Sequence, residues 1–205
     1  MNDPHVLHQI PDSGPPISRA RLATVLWIVV ESMIFAGMLG AFVVTRKSSP
    51  VWPPSYETRE GIITPPRVDL LWPTVNAGIL ISAFIMAIRA QQAARRRDVL
   101  RCRLRLTTVA ILGTIFVAIV CWEFYSEAQR GVSIRSGVYG GYWALITAAH
   151  ALHVLAGVIW LAIALRGRLA MPLGGIDSQR VEHLGLYWGF ITVVWILLLA
   201  ILHFV

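Results

Sequence analysis

Residues 184–202 read Leu184-Gly185-Leu186-Tyr187-Trp188-Gly189-Phe190-Ile191-Thr192-Val193-Val194-Trp195-Ile196-Leu197-Leu198-Leu199-Ala200-Ile201-Leu202, a run of 19 residues without a charge. At 1.5 Å per residue such a run reaches about 29 Å as a helix, close to the roughly 30 Å hydrocarbon core of a bilayer. Four more stretches meet the same criterion, at approximately Leu22–Val44, Leu70–Ile88, Leu106–Phe124 and Gly141–Leu165. The chain has 205 residues, 56% of them hydrophobic, and no soluble domain fits in what remains. The expected fold is therefore all-α, an integral membrane bundle of five transmembrane helices over residues 22–205. Residues 1–21, with Pro4, Pro11, Pro15 and Pro16, read as a short irregular tail without a secretory cleavage site.

Basic residues near membrane segments are retained in the cytoplasm, so the Lys and Arg distribution sets the orientation. Twelve lie on one side: Arg19, Arg21, Arg89, Arg95, Arg96, Arg97, Arg101, Arg103, Arg105, Arg166, Arg168 and Arg180. Six lie on the other: Arg46, Lys47, Arg59, Arg67, Arg130 and Arg135. This predicts a cytoplasmic N-terminus and an external C-terminus, and it accounts for most of the net charge of +7. The Arg95-Arg96-Arg97 run could contact nucleic acid, but its place beside a membrane segment fits anionic head groups better. Cys102, in the cytoplasmic connection, and Cys121, inside the third span, are not expected to form a disulfide. No internal repeat or paired Gly/Pro break marks a transporter. The external segment Pro50-Val51-Trp52-Pro53-Pro54 must be extended or turned.

Within the spans, Glu31 carries the largest cost, about 2.5–3.5 kcal/mol if charged and unpaired. It must face protein or water. Ser32, Ala36 and Gly40 recur every four positions beside it and would let a neighbouring helix approach closely. Two readings stay open for Glu31: a packing seam with one buried acid, or a proton-active or lipid-contacting group. His150, His153 and Gly157 share a stripe of the fourth span, with Gly157 admitting another backbone. The histidines could join Glu31 or Glu123 in a metal site or in a hydrogen-bonded cluster. The chain lacks a second paired-His or Glu-x-x-His set, which favours the cluster. Glu182 should reach water or an Arg, His203 should be interfacial, and Thr192 can bond its own helix backbone.

In order along the chain, several segments resemble subunit III of the haem-copper oxidases in its short, five-helix bacterial form. Glu31-Ser32-Met33-Ile34-Phe35-Ala36-Gly37 is similar to the family's Ser-Glu-x-x-Phe-Phe-x-Gly, Trp52-Pro53-Pro54 to its Trp-Pro-Pro loop, and Asn76 to the Asn of Leu-Asn-Thr. Glu123-Phe124 resembles its Glu-Tyr. His150-Ala151-Leu152-His153-Val154 with Gly157 resembles His-Gly-x-His-Val-x-x-x-Gly. Glu182, Tyr187-Trp188 and Val193-Val194-Trp195 resemble its closing motif, in which Gly189 and Thr192 replace a His and an Asp. That double departure suggests a rearranged local network.

The resemblance implies an accessory, non-catalytic membrane subunit of a proton-pumping terminal oxidase in the bacterial cytoplasmic (inner) membrane. It implies no metal or redox cofactor in this chain, with haem and copper in the partner subunits. The implied partners are catalytic subunit I, subunit II and phospholipid, and not nucleic acid. Glu31, His150, His153 and Glu123 become lipid-cleft or proton-related residues, with the two histidines as hydrogen-bond partners of Glu31 or Glu123. Ser32, Ala36, Gly40 and Gly157 become helix-packing positions, and Arg95, Arg96 and Arg97 head-group or partner contacts. Two alternatives are an accessory subunit of a nitric oxide reductase and a small membrane metalloenzyme using His150, His153 and Glu31.

Overall fold

The computed structural model describes residues 19–58, 61–65, 69–167 and 178–204. Most of the expected tail, together with Arg59, Arg67 and Arg168, lies outside the described residues. Five helices carry the fold: α1 (Arg19–Ser48), α2 (Leu71–Arg95), α3 (Val99–Gln129), α4 (Gly137–Gly167) and α5 (Ser178–Phe204). Each is long and apolar enough to cross a membrane. A short antiparallel pair, β1 (Tyr56–Thr58) and β2 (Gly61–Ile63), lies in the connection after α1.

The helices outrun the apolar stretches at most ends. Val99–Arg105, expected as connection, forms the first two turns of α3, because Asp98 caps the helix by accepting from Arg101 N at 3.0 Å. Apolarity marks only the part of a helix that lipid touches, and a good cap lets a basic segment continue the same hydrogen-bond ladder. The α2–α3 connection thus shrinks to Arg96, Arg97 and Asp98. Cys102 moves with it. It is fully buried on α3 rather than in a loop, while Cys121 is exposed on the same helix, and both thiols are free.

At the other end of α3, Gly131 takes a left-handed φ of 85° while Val132 N donates to Glu127 O at 2.8 Å and Gly131 N to Ala128 O at 3.1 Å. This is a Schellman closure, which a side chain with a Cβ would strain. Gly137, at φ 67°, opens α4 with the Cβ of Tyr56 3.0 Å from where its own would stand.

Helices α2, α3, α4 and α5 pack in a ring, α2 against α3 and α5, and α4 against α3 and α5. The ring core includes Leu80, Val109, Phe116, Ile146, Trp188 and Ile191. Small residues let α2 lie close, with Ala83, Ala87, Ala90, Ala93 and Ala94 all buried. Helix α1 packs outside the ring against α4 and α5. It contributes one stripe, Phe35, Leu39 and Phe42, whose exposures of 2%, 7% and 1% contrast with 69% for Met33 on its outer face. Phe42 stacks edge-on against Trp52 and Tyr142 at 5.5 and 5.8 Å, which ties the segment after α1 to the bundle.

At the N-terminal end of α1, Glu182 on α5 stands 3.9 Å from Arg21 and 3.8 Å from Arg95. Arg95, Arg96 and Arg97 themselves are exposed. Exposed pairs of this kind contribute about 0–1 kcal/mol. Glu182→Ala is therefore expected to change stability by less than about 1 kcal/mol, with any loss vanishing at high salt; unfolding midpoints in detergent at two ionic strengths check this.

Candidate functional site

The centre of the α1–α4 contact is polar. Glu31 Oε2 lies 2.9 Å from His153 Nε2, with side-chain exposures of 12% and 22%. Glu31 reaches this place because it shares the inner stripe of α1 with Phe35, four residues on, whose ring meets the His153 ring edge-on at 5.1 Å. His153 Nδ1–H donates back to Ala149 O at 2.7 Å, so the free Nε2 faces the carboxyl group. With that tautomer fixed, the bond needs one proton between the two groups, on the carboxyl or on the imidazole. Either arrangement is neutral overall, which is what a low-dielectric setting demands.

A second layer holds His153 in place. Tyr187 on α5 donates its hydroxyl to His153 O at 2.8 Å, and its ring lies over Gly157, where a Cβ would meet Tyr187 Cε1 at 2.9 Å. Gly157→Leu is expected to push Tyr187 aside and lose that hydrogen bond, costing about 1–3 kcal/mol, read as a lowered unfolding midpoint. The sequence offers Tyr187 only as part of the closing motif and assigns it no partner, since a tyrosine in an apolar span gives no periodic signal of its own.

His150 faces elsewhere. It is fully buried, ringed by Phe35, Phe116 and Trp195 at 6.0, 5.7 and 5.0 Å, and neither ring nitrogen has a hydrogen-bond partner among the described residues. The structure thus pairs His153 with Glu31 and gives His150 no carboxylate. Three residues along a helix turn a side chain by about 60° from the starting face, enough to send one histidine into the ring and the other toward α1. Among the described residues no three His, Cys, Asp or Glu side chains converge as a metal site would require.

Glu123 lies apart from both, 3% exposed on α3 among Pro73, Thr147, Trp195 and His203. Asn76 is also fully buried, with both side-chain termini unpartnered among the described residues. Gly189 has the Phe84 ring where a side chain would stand, at 2.9 Å from its Cβ position. Thr192 donates to Trp188 O at 2.7 Å, with Leu80 O of α2 at 3.3 Å. The altered motif is thus occupied by aromatic packing and a backbone-bound hydroxyl.

Ser32, Ala36 and Gly40 are exposed. They line an open groove between α1 and α5 of about 580 Å³, together with Phe35, Val43, Phe190 and Leu197. Among the described residues nothing lies within 4 Å of the Cβ position of Gly37 or Gly40, so there the small-residue row borders a groove and no helix seats against it. On α1 the groove lining starts at Ser32, the residue after Glu31, and includes Phe35, whose ring also meets His153.

A family model described as Cytochrome c oxidase subunit III matches residues 17–205. Among curated proteins, cytochrome c oxidase subunit 3 of Synechocystis sp. is 31% identical over 180 residues, covering 87% of this chain and 72% of that protein. The probable cytochrome c oxidase subunit 3 of Nocardia farcinica is 27% identical, covering 90% of this chain and 87% of its own length. Cytochrome c oxidase subunit 3 of Thermostichus vulcanus is 28% identical, covering 89% and 85%. With five membrane-length helices and a match over nearly its whole length, the chain belongs to the cytochrome c oxidase subunit III family.

Proposed function

We propose that this chain is the non-catalytic third subunit of a haem-copper terminal oxidase that couples oxygen reduction to proton pumping. In this reading it docks on catalytic subunit I, with subunit II in the same complex, in the bacterial cytoplasmic membrane. Haem and copper belong to those partners. The excess of Lys and Arg at the N-terminal end of α1 supports a cytoplasmic N-terminus.

The observation that carries the functional side is the Glu31–His153 pair, held at 2.9 Å beside an apolar groove. From Ser32 to Val44 the groove follows α1 for about 18 Å, a length suited to a phospholipid acyl chain. The pair serves as a proton-holding group near the subunit's lipid face and sustains proton uptake over many turnovers. Arg95, Arg96 and Arg97 contact head groups or the partner from the basic end.

The test begins with a gentle affinity isolation of the tagged chain from native membranes. A reduced-minus-oxidised haem spectrum and oxygen consumption in the eluate are expected. In the complex so obtained, Glu31→Gln is expected to shorten the number of turnovers before inactivation, leaving the initial rate near wild type. Unchanged initial rate, proton stoichiometry and inactivation together would sink the role of Glu31. Gly189 and Thr192 keep one second reading, an accessory subunit of a nitric oxide reductase, and co-isolation of that enzyme's catalytic subunit instead would establish it.

A further inference from the structure

The carboxyl of Glu123 and the imidazole of His203 face one small cavity between α2, α3, α4 and α5, at the end of the bundle where α5 finishes. Glu123 Oε2 and His203 Nε2 are both buried and without a hydrogen-bond partner among the described residues. His203 Nδ1–H donates to Leu199 O at 3.2 Å, one turn back. This is the tautomer-fixing bond that His153 makes to Ala149, and it likewise leaves Nε2 free for a partner. His153 finds its carboxyl group directly. Between Glu123 and His203 the cavity has a volume of about 10 Å³ and is also lined by Thr147. One water molecule needs roughly 10–15 Å³ of such free volume and two to four polar neighbours.

We propose that Glu123 and His203 form a second proton-holding site, bridged by a single bound water. The bridge holds one proton in two forms of equal charge. In one, the carboxyl O–H donates to the water and the water donates to Nε2. In the other, the carboxyl proton has passed to the water and a water proton to Nε2, leaving carboxylate and imidazolium. No net charge enters the bundle in either form, so the site can relay or store a proton without the cost of an isolated buried ion.

The charged neighbours are accounted for. Glu127, one turn along α3, is paired with Arg130 at 2.8 Å, and Asp69 before α2 accepts from Leu71 N at 3.1 Å. Helix α4 presents Thr147 and, one turn deeper, His150. His150 is likewise unpartnered but does not line the cavity; among the described residues Glu123 and His203 are the acid and the imidazole that do. The site stands on this chain's own residues and is independent of which enzyme the subunit joins.

The test uses the intact complex. A density map fine enough to show waters should contain one water-sized peak within hydrogen-bond distance of both Glu123 Oε2 and His203 Nε2. Infrared spectra should lose one carboxyl band in Glu123→Gln, and that band should shift in His203→Phe. Absence of the peak, a metal ion in its place, or a Glu123 band indifferent to His203→Phe would each overturn the proposal. Because the map is taken on the unaltered protein, it decides even where a variant fails to assemble.

Discussion

Gly113→Leu is expected to prevent α3 from closing against α4 and α5, with a loss of at least about 3 kcal/mol that is visible as failure to retain a folded, assembled subunit. A Cβ alone at Gly113 would stand 2.6 Å from Trp188 Cη2 and 2.6 Å from Val158 Cγ2. Trp188 is only 1% exposed and its indole cannot bend away, so the backbones must part. Gly113→Ala should already cost about 1–3 kcal/mol, offset by at most about 1 kcal/mol of helix propensity. Gly40→Ala is the control, since nothing borders its Cβ position. Unfolding midpoints of the three variants in mixed micelles check the order. Should Gly40→Leu leave the isolated chain stable yet block incorporation into the oxidase, the groove is occupied in the complex.

The second large effect is expected at His153. His153→Ala strands the Glu31 carboxyl group at the α1–α4 contact without its partner and should cost about 1–3 kcal/mol. Glu31→Gln is milder, because an amide N–H can donate to Nε2 in place of a carboxyl O–H; about 1 kcal/mol is expected. The double variant Glu31→Leu/His153→Leu should recover much of the loss, since removing both partners leaves no orphaned group. A double-mutant cycle on unfolding free energy isolates the pair. A coupling near zero would mean that the 2.9 Å contact is geometric only.

Five spans were legible because lipid imposes an unbroken apolar length, and residues 184–202 satisfy it without a single charge. The helix ends were not, because Asp98 capping and the Gly131 turn act beyond the apolar run. Glu31 could be marked from its cost alone, and a histidine partner from the spacing of the fourth span. Which histidine it meets depends on where α1 docks around the ring, and no local pattern carries that. The row of Ser32, Ala36 and Gly40 was visible too, but the same small side chains suit a helix seam and an open groove equally. Gly113 stood in plain view as a glycine inside a span. Its importance comes from Trp188, 75 residues further on, and becomes readable only once the two are adjacent.

The placement of α1 outside a ring made by the four later helices has a consequence for biosynthesis. Glu31 and His153 are 122 residues apart in sequence, and α1 leaves the ribosome first. At roughly 5–20 residues per second, His153 is synthesised about 6–25 seconds after its partner. During that interval α1 sits in the membrane with an acid that its own chain cannot yet answer. The α1–α4 contact can therefore be completed only after α4 has been made, and until then the Glu31 carboxyl group has no imidazole to meet.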